Sequence, residues 1–342
     1  MFDGFIDEMV DLGEVQLRVR FGGEGPPLLL IHGHPRTSGT WHRVAPRLVS
    51  AGFSVVCPDM RGYGRSSKPT IQDDHRQQAK RVVADDLARL MTELDHDQFT
   101  VIGHDRGGQV GFRLAMDHPS RVTRLVIINA VPIIEALERC DARVAERWFD
   151  WFFYARPELP ERVITADPVA WYRPEAHLMG EENCAELIEA INDSETVRAM
   201  LEDYRAGLSV DREADRADRL AGRTIGCPTL VLWSSSGDIE MLFDNPLALW
   251  KAWTDDLRGT CVESGAHIPE ENPDELVTAL TEFWATHLKR RPVTSLRRSS
   301  GRLCAFGLDS AFGIHLKGGN CPRPVQISGI FIAFCCILAF VS

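Results

Sequence analysis

The chain has 342 residues, 44% of them hydrophobic, enough to bury the large core of one domain carrying an inserted element. Acidic residues outnumber basic ones, and the net charge of −11 argues against a nucleic-acid-binding surface while leaving room for a local basic pocket. The 9 cysteines show no metal-ligand spacing, and Cys57, Cys140, Cys184, Cys227 and Cys261 stand singly, as expected of reduced thiols in a cytoplasmic protein.

The first residues, MFDGFIDEMV, are acidic and lack a basic stretch followed by an apolar one, so no signal peptide is expected. Val10–Arg20 alternates loosely and runs into GGEGPP, the pattern of a hairpin or edge strand leading to a buried strand at Leu28–His32. Thr40–Ala51 reads as a helix, Phe53–Pro58 as a strand, and His75–Leu94 as an amphipathic helix with a charged outer face. Phe99–His104 is a β-branched and apolar run, followed by a helix over Gln109–His118, and Val122–Asn129 is the next strand. Strands alternating with helices predict an α/β fold with a mostly parallel twisted sheet and right-handed crossovers.

From about Pro132 to Asp218 the alternation stops and the chain turns helical, charged and aromatic, as in ERWFDWFFYARPELP and DPVAWYRP. Inserted between sheet strands, this segment is expected to form a helical cap. The core resumes with a strand at Cys227–Trp233, a helix at Pro246–Trp253, a strand at Thr260–Glu263 and a closing helix at Pro273–Leu288. The expected organisation is a first core segment over 1–131, cap over 132–218, a second core segment over 219–292, and an atypical tail over 293–342. The tail ends in an apolar run, Val325–Val341, borderline in length for a membrane span. It reads as an anchor, as a segment packed on the body, or, the favoured reading, as unrelated sequence fused by a change of reading frame.

The chemistry concentrates at Phe99–Gly108, FTVIGHDRGG. A strand, a turn flanked by Gly103 and Gly107, and a helix are the parts of a nucleophile elbow, here with Asp105 where serine hydrolases carry serine. Taken alone, the pentapeptide better suits an ordinary strand-to-helix turn with an aspartate that caps the helix. Together with LLLIHGHP upstream and VVCPDMRGYGRSSKP after it, however, it resembles the α/β-hydrolase superfamily and, within it, the haloacetate (fluoroacetate) dehalogenases. The resemblance runs over about Asp7–Leu288.

That resemblance implies hydrolysis of a carbon–halogen bond in a short 2-haloacid through an ester on Asp105, with no cofactor or metal. The backbone N–H groups of Arg106 and of the loop near His34 are the implied oxyanion donors, and the Arg106 side chain the implied clamp for the substrate carboxylate. Where the family has a second arginine one helical turn later, this chain has Gln109. Trp151 and Tyr204 match two of the family's three halide-pocket residues, while Asp150 fills the place of the histidine. An isolated aromatic such as Trp151 is more often cap core, and the alternative role of Arg106 is a surface position at a helix start.

The base and its acid also depart from the family. Counting back from the Pro-Glu-Glu and Asn-Pro landmarks puts the family histidine at Ala266, with His267 one place late, either serving as the base through a local change of path or standing at the surface beside a helix. The acid position is Asn129, which can orient an imidazole without stabilising its charge, and Asp238 occupies a second location used for the acid in other α/β-hydrolases. Slow ester hydrolysis is the expected consequence. Epoxide hydrolysis, with Tyr154 and Tyr204 as donors, and non-catalytic binding of a small molecule are the rival readings; esterase chemistry is disfavoured by the absence of an elbow serine. Expected partners are a small-molecule substrate and, from the resemblance, a second copy of the chain.

Overall fold

The computed structural model describes residues 1–288. Eight strands organise it: β1 (Ile6–Asp11), β2 (Gln16–Gly22), β3 (Pro27–Ile31), β4 (Ser54–Pro58), β5 (Phe99–His104), β6 (Val122–Ile128), β7 (Thr229–Ser234) and β8 (Leu257–Val262). They form one sheet in the order β1-β2-β4-β3-β5-β6-β7-β8. The hairpin β1–β2 and the pair β2–β4 are antiparallel, and every other pair is parallel. The outermost strand carries IDEMVD, acidic and mostly exposed, which blunts an edge open to pairing with another chain.

The central strands are buried on both faces because helices cover both. Successive side chains point to opposite faces, so Val101 packs with Leu29, Leu87 and Val110 on one side of the sheet. Its neighbour Ile102 packs with Leu30, Leu48 and Trp284 on the other. The flanking helices are α1 (Ala45–Ser50), α2 (Lys80–Glu93) and α3 (Arg106–Asp117) before the cap.

Two expected helices come out shorter and divided. The segment Thr40–Ala51 splits into a 3-10 turn at Ser38–Trp41 and α1, because Pro46 has no N–H to donate and sits in the first turn of the helix. The segment from His75 splits at Ala79, whose ψ of 139° is extended, into a 3-10 turn at Arg76–Gln78 and α2.

The cap comprises α4 (Ile133–Glu138), α5 (Ala142–Arg147), α6 (Phe149–Tyr154), α7 (Leu159–Ile164), α8 (Pro168–Tyr172), α9 (Ala176–Met179), α10 (Glu181–Ile191), α11 (Ser194–Ala206) and α12 (Arg212–Leu220). A π-helical turn, Gly207–Asp211, joins the last two. The core then resumes with β7, α13 (Asp238–Phe243), α14 (Pro246–Trp250), β8, α15 (Ile268–Glu271) and α16 (Pro273–Leu288). Among the described residues no helix is long and apolar enough to cross a membrane. The tail over 293–342, including the apolar run Val325–Val341, lies outside the described residues.

Candidate active site

The turn from β5 to α3 holds Asp105 at φ 52° and ψ −121°, a backbone conformation that costs a non-glycine residue about 1–3 kcal/mol. Glycines on either side make it possible. A Cβ at Gly103 would lie 2.2 Å from the Gly107 carbonyl oxygen, and one at Gly107 would lie 2.3 Å from the carbonyl oxygens of Ile31 and His32. With the Asp105 N–H donating to the Ile128 carbonyl at 2.8 Å, the side chain is turned out of the sheet into a cavity of about 300 Å³ between core and cap. The His34 backbone N–H donates to Asp105 Oδ1 at 2.8 Å. Oδ2 is thus the oxygen left to act.

Arg106 does not line this cavity. Its guanidinium is buried, with Nε donating to Asp203 Oδ2 and Nη2 to the Asp203 carbonyl, both at 2.9 Å. It lies 4.1 Å from the Tyr204 ring centroid and 5.3 Å from that of Trp151, behind the aromatic wall. Asp203 also accepts from Tyr63 Oη at 3.0 Å and from Lys80 Nζ. Burial opposes its charge, but Arg106 and Lys80 together hold the carboxyl well below the usual range. The expectation of a guanidinium free to clamp a substrate acid is therefore corrected: this one already has a carboxylate, contributed by α11. Gln109 does line the cavity; its Nε2 donates to the Val131 carbonyl at 3.4 Å, and its Oε1 is buried without a partner.

The base loop departs further from expectation. Ala266 lines the cavity, and its carbonyl accepts from Asn129 Nδ2 at 2.8 Å and His104 Nε2 at 2.9 Å. Asn129 Oδ1 accepts the Ser234 N–H at 2.8 Å. One hydrogen bond from each end of this amide ties the ends of β6 and β7 to the loop, and none joins it to an imidazole. Asp238 lines the cavity as well, with its Oδ1 accepting from Arg147 Nε of the cap at 2.7 Å and no hydrogen bond joining it to the His267 ring. His267 also lines the cavity, packing edge-on against His104 with ring centroids 5.7 Å apart, and its Nδ1 is buried without a partner. Burial, reinforced by Arg36, His104 and His34, keeps it neutral, well below the ordinary histidine range. Among the described residues no carboxylate bonds to its ring. The one-residue displacement in the loop leaves backbone, rather than imidazole, facing Asn129.

On the cap side, Asp150 enters the cavity from the first turn of α6. Burial pushes its carboxyl up to about 6, against the pull of the Asp150 and Trp151 N–H groups at the helix start; nearby Asp105 adds to the upward shift. A carboxyl whose folded pKa exceeds its value of 3.8 in the open chain binds more protons when folded, so stability falls as pH rises between about 4 and 6. Asp150→Asn is accordingly expected to be more stable than the parent by about 2–3 kcal/mol at pH 8. The gap should shrink towards zero near pH 4 when urea midpoints are compared.

Trp151 stacks on Trp148 at 5.1 Å and meets the edge of Tyr204 at 6.3 Å, and all three line the cavity. Tyr154 lies behind Tyr204, ring centroids 4.8 Å apart, and its Oη accepts from Trp171 Nε1 at 2.9 Å. Of the two tyrosines expected for epoxide opening, only Tyr204 lines the cavity. Arg147 and Trp148 were not singled out by the sequence, nor was the His34 ring. The HGHP motif is the one signal that could have pointed to that ring.

Comparison with known proteins bears on the family and the fold. A model of the α/β hydrolase fold matches residues 26–269. The chain is 37% identical to a fluoroacetate dehalogenase of a Burkholderia species over 294 residues, 83% of this chain and 95% of that one. It is 31% identical to a soluble epoxide hydrolase of a Corynebacterium species (strain C12), covering 77% of this chain and 91% of the relative. A solved structure from Nostoc sp PCC 7120, inferred to be an α/β hydrolase, superposes with a TM-score of 0.80 at 37% identity, covering 83% of this chain and 99% of its own. With its elbow, its eight-stranded sheet and these matches along most of its length, the chain belongs to the α/β-hydrolase superfamily and is dehalogenase-like in sequence.

Proposed function

We propose that the protein hydrolyses the carbon–halogen bond of short 2-haloacids through an ester on Asp105, and that release of this ester is slow. The observation that carries the reading is the strained aspartate of the elbow, turned into a small cavity with Oδ1 already held by the His34 N–H. In the first step Oδ2 attacks the saturated α-carbon, an O–C bond forms, and the halide leaves with the electrons of the C–X bond. In the second, water adds to the Asp105 carbonyl carbon and the oxyanion forms on the oxygen that His34 N–H holds. Collapse of that adduct expels the hydroxy acid and restores the carboxylate. Among the described residues no carboxylate is bonded to the His267 ring or to any other imidazole lining the cavity, which supports a slow second step, because no positioned imidazole–carboxylate pair is set to take the water proton.

Incubation with chloroacetate followed by intact-protein mass spectrometry is expected to show a lasting adduct, mapped to Asp105 by peptide analysis. Rapid multiple turnover would overturn the slow second step, and neither adduct nor chloride release would overturn the carbon–halogen reading. Opening of a small epoxide is the second reading, favoured by the engagement of Arg106 with Asp203, which withholds the cation an acid would need. Diol formation from an epoxide without halide release from any haloacid would select it. Reversible binding with no product and no adduct would mark a non-catalytic binder.

A further inference from the structure

The His34 side chain has no role in the chemistry so far, where only its backbone N–H is used. Both ring nitrogens are buried without a hydrogen-bond partner, although the residue lines the same cavity as Asp105. The ring is enclosed by aromatic edges, with centroids of Tyr204 at 5.1 Å, Tyr172 at 5.4 Å and Tyr154 at 5.5 Å. The Tyr172 hydroxyl in this cluster is also buried and unpartnered. Each buried polar atom left unpaired is costly, and such a group in a native fold calls for an explanation, of which a catalytic role towards a bound guest is one.

We propose that the His34 imidazole N–H donates a hydrogen bond to the leaving atom of the substrate, acting as a catalytic residue in the ester-forming step. Burial, with Arg106 and Arg36 nearby, keeps the ring neutral, its pKa pushed down to about 3. So weak a base cannot hold a proton taken from water, but a neutral imidazole still carries one N–H to donate. Tyr204, in edge contact with both His34 and Trp151, brings an O–H to the same space, and Trp151 an N–H. As Asp105 Oδ2 bonds to carbon and the C–X bond breaks, negative charge collects on the halogen, and a donor held there is worth most when the leaving atom is fluorine. This role rests on the Asp105 ester reading.

The test compares adduct formation by fluoroacetate and bromoacetate in the parent and in His34→Phe, which keeps a ring and the backbone N–H but removes the ring donor. Fluoroacetate labelling is expected to fall about 10- to 100-fold more than bromoacetate labelling, the size of one hydrogen bond to a charged acceptor. His34→Gln, which retains an N–H, should keep most of the parent's preference, a rescue that mere packing would not produce. Bromide titration, read by tryptophan fluorescence, should show weaker binding in His34→Phe. Equal slowing with both acids, together with bromide binding unchanged by the variant, would overturn the assignment. If the parent is labelled by neither acid, the Asp105 reading fails, and the bromide titration alone decides: binding that is absent or independent of His34 overturns this role too.

Discussion

Asp105→Asn is expected to abolish covalent labelling by haloacids and any halide release, a loss on the order of 10⁴–10⁶-fold, as when other hydrolytic nucleophiles are removed. The amide has the shape of the carboxylate and can keep an oxygen in front of the His34 N–H, so the elbow contact at 2.8 Å persists. What disappears is the anionic oxygen that attacks carbon. Because Gly103 and Gly107 set the turn by lacking side chains, the backbone at φ 52° has no need of the charge. The thermal midpoint should therefore stay close to that of the parent while the chemistry is lost. Intact mass after chloroacetate treatment, beside halide release, makes the measurement. Labelling that survives in this variant would move the nucleophile elsewhere.

The second large effect is expected from Ala266→His. The carbonyl of residue 266 is pinned by Asn129 and His104 at 2.8 and 2.9 Å, and residue 266 lines the cavity that holds Asp105. An imidazole placed there would stand beside the ester where water attacks, and general-base help of this kind contributes about 10²–10⁴-fold. The gain should fall at the low end, because Asn129 offers no negative charge to stabilise the imidazolium and Asp238 is held by Arg147. The persistent adduct should shorten in lifetime and multiple turnover begin. The same assay on His267→Ala should show an unchanged ester lifetime, since that ring packs against His104 without an acid to orient it. If instead His267→Ala lengthens the lifetime and Ala266→His does nothing, His267 is the working base.

These two expectations separate what could be read along the chain from what could not. The strand runs, the elbow between Gly103 and Gly107, and the break in alternation that marks the cap are local patterns. Apolar period and turn-forming glycine report backbone conformation and burial directly: the strands and the turn are realised in the fold, and only helices lie between β6 and β7, where the alternation stops. The divided helices at Pro46 and Ala79 were less legible, since an apolar period continues across a break in the backbone that it does not encode.

The partners of the polar side chains were a different matter. Arg106 reads as a substrate clamp from its place beside the nucleophile, yet it is satisfied by Asp203, 97 residues later, on a cap helix. Asn129 reads as a support for the base and is instead consumed by the Ala266 carbonyl and the Ser234 N–H. Asp238 meets Arg147 across the junction of cap and core, and the His34 ring meets tyrosines of three cap helices. A hydrogen bond forms only within about 3 Å and over a narrow range of angles. Residue type and spacing therefore specify a strand, a turn or a helix, but which donor finds which acceptor depends on how elements distant in the chain come to lie against one another.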